Sequence, residues 1–400
     1  MTNYDDFLNA QFKMTDAGRI DKVIDLYTTY NPDVDLEAMK QGGYIDALAR
    51  MMEPLLLNFD DHAPEVMAYW AKLGMVKEFH GETDAMNWKE FERKTGYYWD
   101  FNPEGCQNMF KKWTSFVPVS AFEKNRNKKY PVIFFLHGGF NPNSIIDGWG
   151  IVQEAAKREW IVIAPSLELD EVLEEILEQA KVLYPVDTSR VYAAGFSYGG
   201  FMSNFLGNKR PDLFAAVGPC GAPIGNGFVD KPIGPEPQTP FDGVSRAAAA
   251  GTYMPVINIY GNLDGHRFPF YDYQGFFADH GKGAKELIEG INHWARVNHA
   301  KEISFEDVMA LKDRNDISEE EKYIGLPLEP DCRRTVIADG ITNYVGDLKS
   351  EDGITRIRLM CEMNMPHWPT PEMSRQLLEF FSHFSRNTQT LESIYDDGEH

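Results

Sequence analysis

The sequence has few cysteines and no pattern that pairs them. Its four cysteines are widely spaced, with no Cys-x-x-Cys pair. This density is far below that of a secreted domain held together by disulfides. We therefore expect reduced thiols at Cys106, Cys220, Cys332 and Cys361.

Long apolar runs are also missing. Nowhere do 18 apolar residues follow one another without a charge, and the first residues form neither a basic nor an apolar segment of the signal-peptide type. These absences predict a cytoplasmic protein with no membrane span. The processed form of an exported protein is the alternative.

Basic residues are outnumbered, with 39 Lys and Arg against 61 Asp and Glu and a formal net charge of −22. Binding to nucleic acid or to an anionic membrane surface requires clusters of basic side chains. The charge balance therefore opposes both partners and favours a small or neutral substrate.

What the sequence does contain is enough apolar material, 43% over 400 residues, to bury a sizeable core. Residues 1–105 show helical spacing of apolar residues and predict an N-terminal helical extension, packed on the main domain or on a second subunit. Residues 106–390 are predicted to form the main domain, with insertions at about 222–252 and 301–350. Residues 391–400 predict an acidic tail.

Within the main domain, short β-branched runs alternate with helical patterns. This alternation predicts an α/β fold with a mainly parallel central sheet and helices on both faces. The predicted strands are 114–119, 132–136, 161–164, 191–194, 215–217, 256–260 and 354–360. The predicted helices are 151–158, 172–183, 201–206, 284–297 and 371–384.

One serine lies in the pattern Gly-x-Ser-x-Gly, formed by Gly195, Ser197 and Gly199. It lies between a predicted strand and a predicted helix. This is the context of a nucleophile elbow, where the glycines let strand and helix approach each other around a strained turn that exposes the hydroxyl. We predict that Ser197 is a nucleophile. A plain glycine-rich turn is the alternative.

Acyl transfer also requires N–H donors for the oxyanion. The apolar run 132–136 is followed by His137, Gly138 and Gly139, and glycines let a backbone approach a ligand closely. The expected donors are the N–H groups of Tyr198 and Gly139, with Gly138 as the substitute for Gly139. His137 is expected to support this loop by hydrogen bonding.

The acid of a hydrolase triad follows the serine and precedes the histidine in the chain. Asp264 comes just after the predicted strand 256–260 and is our candidate. Asp242 is the alternative, but it lies in the insertion rich in Gly and Pro, where no strand end would hold it. His266 is too close to Asp264 to be its triad partner and is expected to line the substrate cleft.

The predicted general base is His367, which follows the last predicted strand of the sheet and precedes the final helix. Pro366 and Pro369 flank it and would stiffen the loop. The remaining histidines precede the serine, lie on predicted helices or in the tail, or follow no strand. Trp368 is expected to line the substrate cleft with His266.

With these residues in place, residues from about 110 to 386 resemble the polyhydroxybutyrate-depolymerase-like and feruloyl-esterase-like branch of the α/β hydrolases. The resemblance is carried by residues 136–139, by 184–192 leading into the elbow, and by His367, Trp368 and Pro369. It implies an α/β-hydrolase fold and an esterase. Pro366 before His367, with Trp368 directly after it, departs from the usual pattern, in which glycine flanks the histidine and one residue separates it from the tryptophan.

The expected activity is serine-dependent hydrolysis of carboxylic esters through an acyl-enzyme, with no metal or organic cofactor. The resemblance implies feruloyl, acetyl or similar esters of plant-derived carbohydrates, including oligosaccharides, as substrates.

Two alternative functions stay open. Residues 197–202 also resemble the elbow of prolyl-oligopeptidase-type peptidases, although a hundred helical residues could not form the β-propeller that those enzymes carry. A hydrolase fold kept as a non-catalytic binding module would lack a triad member, and here all three are present.

Overall fold

A ten-stranded mixed sheet forms the centre of the molecule. The computed structural model describes residues 64–80, 113–123, 127–138, 146, 149–166, 168–225, 245–262, 282–338, 340–363, 365 and 369–398. The strands of the sheet are β1 Met75–His80, β2 Trp113–Pro118, β3 Tyr130–Leu136, β4 Ile161–Pro165, β5 Val186–Phe196, β6 Ala216–Cys220, β7 Val256–Gly261, β8 Arg333–Ala338, β9 Ile341–Lys349 and β10 Thr355–Glu362.

The strand order across the sheet is β1-β2-β4-β3-β5-β6-β7-β10-β9-β8. The six central strands, from β4 to β10, run parallel. An antiparallel pair borders them at each edge. The carboxyl ends of the parallel strands therefore meet at one edge, where ligands bind in open α/β sheets.

Helices cover both faces of the sheet, as the alternation of patterns predicts. They are α1 Pro64–Lys72, α2 Ile151–Arg158, α3 Asp170–Leu183, α4 Tyr198–Lys209, α5 Arg246–Ala249, α6 Lys282–Val297, α7 Phe305–Ala310, α8 Glu319–Ile324 and α9 Pro371–Ser382. The predicted fold class, an α/β fold with a mainly parallel sheet between helices, is confirmed.

Two hydrophobic cores lie on opposite faces of the sheet. Along β3, Phe134 packs in the core formed with α3, α4 and α6, whereas Ile133 and Phe135 pack in the core formed with α2 and α9. Side chains alternate between the faces of a strand, so a strand covered on both sides must be apolar throughout. All seven residues of β3 are accordingly buried.

Three segments differ from the sequence-based boundaries. Strand β1 lies within residues 1–105, predicted as helical, and extends the sheet beyond β2. The predicted insertion 301–350 contains the β8–β9 hairpin, which adds two strands beyond β10. The predicted tail contains a short strand, β12 Ser393–Tyr395, paired with β11 Phe384–Arg386.

Parts of the predicted organisation fall outside the described residues. These parts are residues 1–63 and 81–105 of the N-terminal extension, with the second-subunit contact expected there, and residues 226–244 of the first insertion. In the ranges that are described, no helix has the length and apolarity that crossing a bilayer requires.

A buried arginine fastens the C-terminal end to the sheet. Arg386 is 2% exposed. Its guanidinium donates to the carbonyl oxygens of Phe214, Tyr253 and Leu391 at 2.9, 2.8 and 2.7 Å. Burial lowers the pKa of Arg386 to about 10. The group therefore remains charged at neutral pH, and its hydrogen bonds offset the cost of burying that charge.

Replacing this arginine should destabilise the fold. We expect Arg386→Met to lower the free energy of unfolding by roughly 2 to 4 kcal/mol, because several buried carbonyl groups lose their donor. Urea denaturation followed by circular dichroism measures the change. Arg296→Met, at a half-exposed position on α6, is the control and should change stability by less than about 0.5 kcal/mol. Equal urea midpoints for both variants would contradict this role of Arg386.

Candidate active site

Ser197 is the single residue that joins β5 to α4. Its backbone has φ 58° and ψ −113°, a conformation that residues other than glycine rarely adopt. The residue is partly exposed, while residues 191–196 of β5 before it and the glycines after it are buried. The turn therefore presents Ser197 at the carboxyl edge of the sheet.

Neighbouring strands hold this strained turn from both sides. The N–H of Ser197 donates to the carbonyl oxygen of Cys220 at the end of β6, at 2.9 Å. The N–H of Gly199 donates to the carbonyl oxygen of His137, just after β3, at 3.0 Å. The conformation of Ser197 is thus fixed by the two strands that flank β5.

Glycines make this close approach of strand and helix feasible. A Cβ built on Gly195 would lie 2.6 Å from Cβ of Leu136, and one on Gly199 would overlap the carbonyl oxygens of Leu136 and His137. A strained serine between two such glycines, at the strand-to-helix junction of this sheet, has the backbone geometry of a nucleophile elbow. The chain has the α/β-hydrolase fold.

The elbow of this α/β-hydrolase contains two of the predicted site residues. Tyr198 is the first residue of α4, so its backbone N–H lies at the helix N-terminus, where the helix dipole favours negative charge. The other predicted site residues lie outside the described part of the chain. They are Gly139, Asp264, His266, His367 and Trp368.

The segments that lead to the predicted acid and base are described, and they are in contact. The N–H of Asn262 donates to the carbonyl oxygen of Glu362 at 3.0 Å. The side-chain oxygen of Asn262 accepts from the N–H of Met365 at 3.2 Å. Asp264 and His367 follow Asn262 and Met365 by two residues each, so the two loops start from adjacent points.

A buried carboxyl group lies at the end of β10. Glu362, the last residue of β10, is 2% exposed and accepts a hydrogen bond from the Thr370 hydroxyl at 2.6 Å. Burial raises the pKa of Glu362 to about 8, with a further contribution from the nearby carboxyl of Glu372. Glu362 is therefore mostly protonated at neutral pH.

A second buried carboxyl group lies behind the loop after β3. Oε1 of Glu168 is 3.7 Å from Nδ1 of His137. The two ring nitrogens of His137 lie 2.7 and 3.3 Å from the carbonyl oxygens of Gly138 and Ser166. Burial lowers the pKa of His137 and raises that of Glu168 well above its usual value.

Sequence reasoning missed Glu168 and Glu362. Each is a single acidic residue in or beside an apolar stretch that follows or ends a parallel strand. Their position next to the end of a parallel strand could have predicted that both lie near the ligand-binding edge of the sheet. Within the described ranges, no three His, Cys, Asp or Glu side chains come together as a metal site.

Comparison with known proteins finds similarity over short stretches of the chain. Residues 170–226 match the sequence model of the prolyl oligopeptidase family. A 62-residue stretch is 44% identical to feruloyl esterase B of Piromyces equi, covering 14% of this chain and 12% of that protein. A 120-residue stretch is 27% identical to the probable dipeptidyl-peptidase 5 of Aspergillus flavus, covering 24% of this chain and 16% of that protein.

These matches span less than a fifth of either relative's length. They share the serine hydrolase type, which includes both esterases and peptidases. Among solved structures, the acetyl xylan esterase from Aspergillus awamori is similar over 68% of this chain and 93% of its own, with 14% identity and a TM-score of 0.40. The fold assignment rests on the strand order and the elbow.

The packing at the elbow predicts that replacing two different glycines by alanine has very different effects on stability. Gly199→Ala should abolish folding or lower stability by roughly 3 kcal/mol or more, because the new methyl group overlaps two backbone carbonyls. Gly225→Ala is the matched control, since a Cβ there would meet its nearest neighbour at an ordinary 3.6 Å. Thermal denaturation of both variants tests this. Equal melting temperatures would contradict the described packing.

Glu362 predicts a pH dependence of stability. Its raised pKa means that the folded protein keeps a proton, between about pH 4.5 and 8, that the unfolded chain has lost. Stability therefore falls as pH rises through this window. Glu362→Gln should remove this part of the decline, on the order of a few kcal/mol, since one pKa unit corresponds to about 1.4 kcal/mol.

Urea denaturation of both proteins from pH 5 to 9 measures the effect. The neighbouring titratable groups are the carboxyl of Glu372 and the thiols of Cys220 and Cys361. Burial raises the pKa of both thiols well above its usual value. They therefore affect stability only above about pH 8, where the unfolded chain loses these protons, and the two proteins are compared below that pH. Parallel pH profiles for wild type and variant would show that Glu362 keeps an ordinary pKa.

Proposed function

We propose that this protein is a serine-dependent carboxylic ester hydrolase. The observation that carries the proposal is the strained, partly exposed Ser197 at the elbow, held by Cys220 and His137. Such strain persists only where the surrounding structure enforces it, and it is typical of functional sites. A serine that only formed a turn would not need this conformation.

The proposed reaction has two acyl-transfer steps. His367 takes the proton of the Ser197 hydroxyl as the oxygen attacks the ester carbonyl, and Asp264 fixes the tautomer of the imidazole. The resulting oxyanion accepts hydrogen bonds from the N–H groups of Tyr198 and Gly139. The intermediate then expels the alcohol, which takes the proton from His367.

Water completes the cycle. It attacks the acyl-enzyme, gives one proton to His367 and forms a second oxyanion. That intermediate releases the carboxylic acid as Ser197 regains its proton. The pairing of Asp264 with His367 is supported by the hydrogen bonds that join Asn262 to Glu362 and to Met365, because these bring the starts of the two loops together.

For the substrate, we propose feruloyl, acetyl or similar esters of plant-derived carbohydrates, hydrolysed in the cytoplasm. The 44% identity to a stretch of feruloyl esterase B supports an ester, and the net charge of −22 favours a neutral substrate over an anionic one. His266 and Trp368 would line the cleft.

Peptide hydrolysis is the second candidate. The match of residues 170–226 to the prolyl oligopeptidase family favours it, since that segment contains the whole elbow from α3 to the loop after β6. The same catalytic residues would act on an amide, so the leaving group distinguishes the two functions. A binding module without catalysis is a third, weaker candidate.

Removing the nucleophile should abolish turnover. We expect Ser197→Ala to lower kcat for p-nitrophenyl acetate by at least about 10³-fold with little loss of stability, because only one hydroxyl is removed. A fluorophosphonate probe should label the wild type and not this variant. Ser382→Ala, at an exposed position on α9, is the control and should keep both properties. Equal turnover by Ser197→Ala would refute the mechanism.

The leaving group is tested with two substrate panels. Acetyl, butyryl, feruloyl and coumaroyl esters are compared with aminoacyl-nitroanilides, using the same enzyme preparation. We expect kcat/KM to be higher for the best ester than for any anilide. The reverse order would assign the protein to the peptidases, and no turnover together with no probe labelling would favour the binding module.

A further inference from the structure

Both ring nitrogens of the buried His137 lie against groups that can only accept hydrogen bonds. Nδ1 is 2.7 Å from the carbonyl oxygen of Gly138, and Nε2 is 3.3 Å from that of Ser166. A neutral imidazole has a single N–H, so one of its nitrogens would turn a lone pair toward a carbonyl oxygen. Two N–H groups, as in an imidazolium, satisfy both contacts.

The Glu168 carboxyl group supplies the matching negative charge. Its side chain is 3% exposed, and Oε1 lies 3.7 Å from Nδ1 of His137. Among the described residues, no group makes a well-formed hydrogen bond to either carboxyl oxygen. Burial raises the pKa of Glu168, and the backbone N–H of His137 opposes this rise, which favours the carboxylate. The described residues thus offer a protonated Glu168 no acceptor for its O–H, whereas a carboxylate beside an imidazolium has its counter-ion.

Burial favours an arrangement of His137 and Glu168 in which the pair is neutral overall. Desolvation lowers the pKa of His137 and raises that of Glu168, so burial alone favours a neutral imidazole beside a carboxylic acid and opposes any net charge on the pair. A neutral imidazole with a carboxylic acid holds the same number of protons as an imidazolium with a carboxylate, and both arrangements are neutral overall. The carbonyl acceptors favour the second arrangement.

We propose that His137 and Glu168 form a buried imidazolium–carboxylate pair that positions the oxyanion loop. The pair would join the loop after β3, through Gly138, to the segment after β4, through Ser166. The carbonyl group of His137 also holds the elbow through Gly199. His137 and Glu168 are thus positioning residues, acting through the backbone that leads to Gly139, and this role rests on the proposed function.

Nitrogen-15 NMR of the histidine rings tests the pair without any reference to activity. At about pH 8.5, two units above the ordinary histidine pKa of ~6.5, we expect one ring in the wild-type protein with both nitrogens protonated. Nuclear Overhauser contacts to Gly138 would assign it to His137. In Glu168→Gln the same ring should become neutral. A neutral His137 in the wild type would overturn the proposal, and this result needs no variant to fold.

Kinetics test the positioning role. Glu168→Gln should lower kcat for p-nitrophenyl acetate by roughly 10- to 100-fold with little change in KM, since a small displacement of catalytic groups has effects of that size. Glu178→Gln, a neighbouring exposed position on α3, should match the wild type. An unchanged kcat in a folded Glu168→Gln would overturn the positioning role.

The two hypotheses fail separately. If the wild type hydrolyses esters through Ser197 but His137 is neutral, the pair is wrong and the proposed function stands. If the wild type hydrolyses no ester, the proposed function fails, while the protonation state of His137 is still decided by NMR.

Discussion

The backbone conformation of Ser197 is the constraint on which the rest of the site depends. A serine with a positive φ costs roughly 1 to 3 kcal/mol, and this structure offsets the cost by fixing Ser197 between β3 and β6. The same contacts require glycine at positions 195 and 199, since any Cβ there would collide with β3 or the elbow itself. The fold thus determines the place and the exposure of one hydroxyl group.

Buried carboxyl groups are the second feature of this edge. The chain carries a net charge of −22, yet Glu168 and Glu362 lie inside, where an unpaired charge would be costly. Each is neutralised differently: Glu362 keeps its proton and accepts from Thr370, whereas we infer that Glu168 has passed its proton to His137. Both groups thereby contact described residues next to the predicted catalytic segments, Thr370 and His137, without adding charge to the site.

Much of the architecture could be predicted from the sequence because burial on both faces forces parallel strands to be continuously apolar. The strand ends of β3 and β7 and the helix after the elbow were predictable for this reason. Strand β1 was not, since its half-exposed residues show no such run, and neither was the β8–β9 hairpin, whose polar outer strand resembles a solvated loop. The Glu168 and Glu362 contacts depend on tertiary packing, which spacing along the chain does not encode.

The central claim is that Ser197 carries the acyl group during turnover. The most direct test is acid quenching of the protein during hydrolysis of a slowly deacylating feruloyl ester, followed by tryptic digestion and fragment-ion mass spectrometry. The peptide of residues 191–209 contains Ser197 and the fully buried Ser203, so fragmentation must separate them. This account predicts one acyl adduct, on Ser197. Ester turnover with the adduct on another residue would contradict it.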